Sequence, residues 1–301
     1  LNSRHVLERF APAKVNLYLH VGPPAADGYH PVSSLMVFAD IGDVMRLAPA
    51  EAMAVVVEGP FAEGLAAERD NLVGRARDQL LRGLAPPPFR LTLDKRLPIA
   101  AGLGGGSADA AATLRLICEH LEAAGLQPPD DGVLTAIARS LGSDVAACLE
   151  SVPALATGRG DILAPAPALP PLDAVLVNPL APSPTGPVYR AYDDAGASGG
   201  AETPALPARF ASARDVVAFL AATRNDLEPP AVSLQPLISE VLGSLAGAPE
   251  TAFTRMSGSG ATCFALCADA AGARRLAARL AGDHPGWWVK SCRLGDGRLT
   301  T

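Results

Sequence analysis

Residues 98–112 read PIAAGLGGGSADAAA, and this stretch decides the fold. Residues 89–94 before it read as a short strand. After it, Ala110, Leu114, Ile117 and Leu121 fall on one stripe at helical spacing, and Gly125 is placed to stop that helix. The glycines therefore join a strand to a helix running from Ser107 to about residue 124. Gly102, Gly104, Gly105 and Gly106 remove side chains where a helix N-terminus presents unpaired N–H donors. Those donors and the helix dipole suit an anion, a phosphate above all. A flexible turn is the other reading of such a loop, but the immediate run into a long Ala-rich helix favours phosphate. No Gly-Lys-Ser/Thr follows, so this is not a Walker A loop, and the dinucleotide spacing of a Rossmann unit is absent.

Working outward, residues 12–21 (PAKVNLYLHV) alternate as a strand and run into a Gly-Pro-Pro turn. Asp27-Gly28 is a turn dipeptide, residues 31–47 hold strand-like stretches around Asp40–Asp43, and residues 53–58 form another short strand. Residues 71–82 predict a helix capped by Asn71; further helices cover about 132–140 and begin near Asp144. Residues 164–171 (APAPALPP) read as a proline-stiffened linker. Beyond it come a strand at 173–178, helices near 212–222, 234–246 and 270–281, and strands at 261–267 and 287–293. Residues 181–208, rich in Pro, Gly, Ala and Ser, read as a long loop. A chain of 301 residues exceeds one compact core, so the expectation is an α+β protein of two lobes, 1–163 and 172–301.

The net charge of −6 argues against nucleic acid or an acidic membrane as partner, while leaving room for a small anion in a locally positive site. Arg4, Glu8 and Arg9 leave no signal-peptide apolar stretch, and no run of about 18 apolar residues predicts a membrane span. The five cysteines are odd in number and lack a Cys-x-x-Cys pair, so neither a disulfide framework nor a zinc site fits. Free thiols imply a reducing compartment, and the chain is expected in the cytoplasm.

Only three of the 25 basic residues are lysines: Lys14, Lys95 and Lys290. Lys14 lies inside an apolar strand beside Asn16; it either reaches solvent from an edge or aims at a phosphate and an attacking hydroxyl. Asp144, in Gly142-Ser143-Asp144-Val145, either caps a helix or accepts a substrate proton. A second small-residue loop, Met256-Ser-Gly258-Ser-Gly260-Ala-Thr262, is either a plain turn or the other wall of a phosphate site. Asp27-Gly28-Tyr29-His30 is either a hairpin turn or a ring face and hydrogen bond for a flat base.

Three blocks, Pro12-Ala-Lys14-Val-Asn16-Leu17, Pro98–Ala112 and Met256–Thr262, resemble in order and separation the GHMP kinase superfamily. That resemblance implies a small-molecule kinase using ATP and Mg²⁺. Its fold would pair an N-terminal lobe like ribosomal protein S5 domain 2 with a ferredoxin-like C-terminal lobe. Asp27–His30, the triple glycine before Ser107, Gly142–Val145, Asn225-Asp226 and Pro184–Tyr189 are similar to the branch whose alcohol substrate carries a cytidine diphosphate. Homoserine and mevalonate kinases are the alternatives within the family, and a non-catalytic sensor on the same fold lies outside that activity. The resemblance implies a catalytic pair, Lys14 and Asp144. It implies ATP contacts from Asn71, Leu72, Lys95, Pro98, Ile99, Ala100, Ala101, Gly102, Leu103, Gly104, Gly105, Gly106, Ser107 and Ala108, with Ser107 the candidate to help place Mg²⁺. It implies substrate contacts from Asn16, Tyr29, His30, Thr185 and Tyr189, the two tyrosines sandwiching the cytosine. Residues 22–26 (GPPAA) depart from the pattern, lacking the basic residue that often precedes Asp-Gly-Tyr-His. The assembly expected of this acidic chain is a monomer or a weak homodimer.

Overall fold

The computed structural model describes residues 6–66, 71–196 and 199–297; Arg4 lies outside them. The N-terminal half runs β1 (Leu7–Val21), β2 (Val32–Pro49), β3 (Ala54–Glu58), α1 (Ala62–Ala66), α2 (Leu72–Leu80) and β4 (Phe89–Asp94). It continues through α3 (Gly105–Ala123), α4 (Asp131–Leu141), α5 (Ser143–Glu150), β5 (Ala154–Thr157) and β6 (Ile162–Pro165). The C-terminal half runs β7 (Leu172–Asn178), α6 (Thr185–Asp194), α7 (Ala213–Ala221), α8 (Glu228–Leu234) and α9 (Leu237–Ala246). It closes with β8 (Thr251–Met256), β9 (Cys263–Cys267), α10 (Ala270–Asp283) and β10 (Trp288–Gly295).

The strands form one sheet in the order β3-β4-β2-β10-β7-β9-β8, with β1 and β5 also paired to β2 and β6 paired to β5. The last strand ties the halves together, Leu294 opposite Ala39 and Gly295 opposite Phe38. From Ala11 onward every residue of β1 is buried, because it packs into all three apolar cores of the molecule. One core lies between the sheet and α2–α5 and takes Leu114, Ile117 and Leu121 of α3. A second joins Val15 and Leu17 to Leu176 and Phe264 of the other half. The third lies under α6 and α8–α10.

Pairing of β1 with β2 breaks register between Pro12 and Lys14 and again between Asn16 and Tyr18. Proline cannot donate to the ladder, and such irregularities re-aim side chains. The two breaks bracket Lys14 and Asn16, which share one face of the strand by its period of two.

The structure corrects several element readings. Residues 181–208 are not one loop, since Thr185–Asp194 form α6 and bury Val188 and Tyr192. Proline obscured this helix and α8, yet Pro187 falls in the first turn of α6 and α8 carries Pro229 and Pro230 at its start, where a missing N–H is tolerated. The helix expected over 234–246 is α9 alone, beginning at Leu237, with α8 ending just before it. The linker expected at 164–171 is partly paired: Pro165 ends β6 and Ala168 bridges to Arg209. α3 starts at Gly105, two residues earlier than expected, because a glycine cap needs no side chain.

Candidate active site

Gly104 occupies the N-cap of α3 at φ 61° and carries no side-chain capping bond. The first amides of α3 therefore open into a cavity of about 530 Å³ that runs between the two glycine loops. The loops touch: a methyl added at Gly102 would lie 2.3 Å from the Ser257 carbonyl oxygen, and Thr262 N–H donates to the Ala101 carbonyl at 3.1 Å. Asn225 pins the second loop by donating to the carbonyls of Met256 and Gly258, each at 2.8 Å. The small residues of the second loop thus shape the floor of the first, a role the turn reading of residues 256–262 did not contain.

At the centre of the cavity Lys14 Nζ stands 2.8 Å from Asp144 Oδ2 and donates to Asn16 Oδ1 at 2.8 Å. Lys14 does not reach solvent: its side chain is 6% exposed, against 29% for Asp144. A methyl on Gly104 would sit 3.1 Å from Lys14 Cε and 3.8 Å from Asp144 Oδ2, so the phosphate loop and the ion pair are adjacent. Asn16 is held at three points. Its Nδ2 donates to Ser34 Oγ at 2.7 Å, its Oδ1 takes Lys14, and its backbone N–H donates to Ser257 Oγ at 3.1 Å. Asp144 lies in the first turn of α5, where a helix N-terminus favours negative charge.

One end of the cavity is lined by Asn71, Leu72, Lys95, Pro98–Gly102 and Gly104–Ser107. Leu103 and Ala108 turn away into the cores. Asn71 Oδ1 caps α2 by accepting from Gly74 N–H at 2.9 Å. Lys95 is 3% exposed and donates to Asp43 Oδ2 at 2.6 Å and Asp109 Oδ2 at 2.7 Å, so two of its three N–H donors serve carboxylates. Burial alone would lower its pKa; the two carboxylates outweigh that and raise it. Asp43 also receives the Arg96 and Leu97 amides on Oδ1, whereas Asp109 Oδ1 is buried without a partner. Burial pushes the Asp109 carboxyl up to about 7, against the pull of Lys95.

A carboxyl raised from its unfolded value of 3.8 to about 7 binds more protons in the native state between those values. Its contribution to stability is therefore full below about pH 4 and is lost as pH rises to about 7. Asp109→Asn removes that slope while keeping an oxygen for Lys95. Urea denaturation should show the variant gaining on wild type by on the order of 1 kcal/mol or more between about pH 4.5 and 7.5. Parallel stability profiles over that range would refute the assignment.

The other end is lined by Asn16, Ser34, Ser143, Asp144, Arg159, Thr185, Tyr189 and Ser259. Thr185 Oγ1 bonds Ser259 Oγ at 2.9 Å. Burial drives the Tyr189 hydroxyl up to about 12, with the charge of Asp144 adding to it. Tyr29 and His30 stand just behind this wall. The His30 ring lies 4.9 Å from that of Tyr189 and its Nε2 is 2.7 Å from Asp193 Oδ1, while the exposed Tyr29 ring carries the Arg159 guanidinium at 4.2 Å. Arg159, Ser257, Asp43 and Asp109 were not singled out from the sequence, for no local pattern marks a side chain whose partner is remote.

Family models match both halves of the chain: the GHMP kinases N terminal domain over residues 71–151 and the GHMP kinases C terminal over residues 207–285. The chain is 57% identical over 291 residues to the 4-diphosphocytidyl-2-C-methyl-D-erythritol kinase of Caulobacter vibrioides strain NA1000 / CB15N, covering 96% of this chain and 99% of that one. The chain belongs to the GHMP kinase family. A protein with the same kinase name from Hyphomonas neptunium is 46% identical, covering 96% and 97%. The crystal structure of a 4-(cytidine 5'-diphospho)-2C-methyl-D-erythritol kinase is 35% identical with a TM-score of 0.74, covering 96% of this chain and 99% of that one. Homoserine kinase from Cytophaga hutchinsonii shares the fold at 17% identity and a TM-score of 0.68. GHMP kinases are small-molecule kinases with ATP as phosphate donor, and the cavity between the glycine loops is the candidate site for that chemistry.

Proposed function

We infer that the protein transfers the γ-phosphoryl group of ATP to the 2-hydroxyl of 4-diphosphocytidyl-2-C-methyl-D-erythritol, giving the 2-phosphate and ADP, a step of non-mevalonate isoprenoid precursor synthesis. The observation that carries this reading is the Lys14–Asp144 pair at 2.8 Å beside the open amides of α3, in a chain 57% identical to a kinase of that name.

Phosphoryl transfer depends mainly on alignment and charge stabilisation. The amides at the start of α3 receive ATP phosphate oxygens at the end lined by Asn71, Leu72 and Lys95. The acceptor occupies the opposite end, with Asn16 and Thr185 on its polar groups and Tyr189 against its base; His30, packed on Tyr189 at 4.9 Å, and Tyr29 lie behind that wall and would reach the base from there. The acceptor oxygen bonds to the γ-phosphorus as the bond to the bridging oxygen breaks toward ADP. Asp144 takes the hydroxyl proton, and Lys14 stabilises charge on the transferring group. Among the described residues no three His, Cys, Asp or Glu side chains cluster into a metal cage, which fits Mg²⁺ held chiefly by phosphates and water. Ser107 would offer the cavity's own oxygen for it, and the ion, when bound, would neutralise phosphate charge.

We assign 1–163 to a nucleotide-binding lobe and 172–301 to a second lobe, each containing one family match. Cys118, Cys148, Cys263, Cys267 and Cys292 are free thiols, which supports a cytoplasmic setting. Among the described residues no helix is long and apolar enough to cross a membrane. A monomer or weak homodimer remains the reading of assembly.

The test is ADP release with Mg-ATP and a panel of acceptors: the cytidyl compound, free methylerythritol, homoserine, mevalonate and galactose. Turnover confined to the cytidyl compound is expected. Turnover with another acceptor would discard the base site and keep the phosphate site; nucleotide binding with no turnover would move the chain to a sensor.

A further inference from the structure

We propose that Arg255, with Ser257 beside it, positions the catalytic strand: together they hold the bulge of β1 that aims Lys14 and Asn16 into the cavity. This rests on Lys14 acting in phosphoryl transfer as inferred above, whichever acceptor the protein takes.

The bulge is one extra residue. Asn16 stands opposite Met36 and Tyr18 opposite Leu35, so Leu17 has no partner on β2. Among the described strands β1 pairs with β2 alone, so the buried amides and carbonyls of its other edge need partners of another kind. Lys14 N–H donates to the Leu103 carbonyl at 2.8 Å, and Leu19 N–H to the Arg224 carbonyl at 3.0 Å. Between them, Asn16 N–H donates to Ser257 Oγ at 3.1 Å, and the Leu17 carbonyl accepts from Arg255 Nη1 at 3.0 Å. The kink at Asn16–Leu17 is therefore gripped at both residues by the end of β8 and the first residue of the second glycine loop.

Arg255 is itself fixed. It is 8% exposed, and Nη1 also donates to Thr223 Oγ1 at 2.9 Å. Nη2 donates to the carbonyls of Leu220 and Thr223 at 3.0 and 2.6 Å, at the C-terminal end of α7. The guanidinium is planar, so the bonds that hold it against α7 also aim Nη1 at Leu17. Burial pulls its pKa down to about 10 against the charge of Glu228, so this cation is kept inside at a cost. Capping α7 alone would not require that cost, since water or an exposed cation serves a helix end. The bond to Leu17 is the one that crosses to the catalytic strand. Lys14 Nζ meets Asn16 Oδ1 and Asp144 Oδ2 at 2.8 Å each, so a shift of the kink moves the ammonium against a carboxylate carried by α5.

ADP release is measured on wild type, Arg255→Lys, Lys14→Met and the double variant, each with its melting curve. The lysine keeps a charge opposite Glu228 but cannot span α7 and Leu17 together. Arg255→Lys should lower kcat about tenfold, part of the roughly 100-fold that about 1 Å of misplacement costs, and leave the KM for ATP within about twofold. In the Lys14→Met background the same change should alter kcat by less than about twofold, because the group it positions is gone. Thr223→Val removes a contact at α7 and leaves the Leu17 bond, so it should lower the melting temperature and keep kcat within about twofold. If Arg255→Lys does not fold, Ser257→Ala frees the Asn16 amide and enters the same cycle: a several-fold loss of kcat alone, and none in Lys14→Met. Losses that add in the double variant would show a merely structural role and overturn the proposal. So would wild-type kcat in Arg255→Lys, or a Thr223→Val loss as large as that of Arg255→Lys. If another acceptor of the panel replaces the cytidyl compound, the cycle is run with that acceptor and decides the role of Arg255 separately. A Lys14→Met protein as active as wild type would sink the catalytic pair and this inference together.

Discussion

Asp144→Asn should lower kcat by roughly 10²-fold or more with little change in the KM for ATP, the scale set by a positioned general base. The substitution keeps the size of the side chain and an oxygen 2.8 Å from Lys14 Nζ, so the loop and α5 have no reason to move. Asp144 is 29% exposed but Lys14 only 6%, so the variant leaves the ammonium with neutral oxygens alone, and an unchanged melting curve is the control for that loss. What the amide cannot do is hold the hydroxyl proton as the new P–O bond forms. Lys14→Met should reach a similar deficit from the other side of the pair. The double variant should be little worse than either single one, because groups acting as one unit lose their function together. ADP-release kinetics on proteins with wild-type melting curves decide the matter: a kcat within about threefold of wild type would remove Asp144 from the chemistry.

The contrast between that pair and its surroundings explains how much was legible in advance. Residues 98–112 could be read because glycine and alanine act through the backbone: removing side chains at a helix start has one structural consequence wherever the chain runs. Lys14 and Asp144 stood out through rarity and position, one a lysine in an apolar strand and the other at a helix start. Their contact depends on the register breaks at Pro12 and Asn16, which strand alternation alone does not reveal. Arg159 was silent because its neighbours are ordinary turn residues and its partners, Asp27 and Tyr29, come from a different hairpin. Asp109 was silent for the opposite reason, since within the Ala-rich run it reads as one polar residue on a helix surface. In fact α3 is buried on every side from Ala108 to Leu114, so Asp109 is interior although Arg115 and Glu119 further along are not. Helices α6 and α8 were hidden by prolines that sit where a first turn accepts them.

The second large effect is on folding rather than turnover. Lys95→Met should destabilise the protein by about 3–5 kcal/mol, the loss on removing one partner of a buried ion pair. The side chains of Asp43 and Asp109 are 0% and 1% exposed, so water cannot replace the ammonium. Asp43 would retain the Arg96 and Leu97 amides at 2.6 and 2.8 Å. Asp109 would lose its one cationic partner and keep only the Asp43 carboxyl beside it, a contact that favours the protonated form. The lesion should therefore depend on pH with a definite sign. Removing the ammonium raises the Asp109 carboxyl further above its unfolded value, so native protein binds the extra proton over a wider range. The deficit is then small near pH 4 and grows as pH rises past 7. Lys95→Met with Asp109→Asn should recover much of the loss, because it removes the carboxylate that has no other donor. Urea denaturation of the wild type, the two single variants and the double variant at pH 5 and pH 8 measures all of this. A Lys95→Met protein within about 1 kcal/mol of wild type at pH 8 would mean that the Lys95 ammonium is not what makes the two buried carboxylates tolerable.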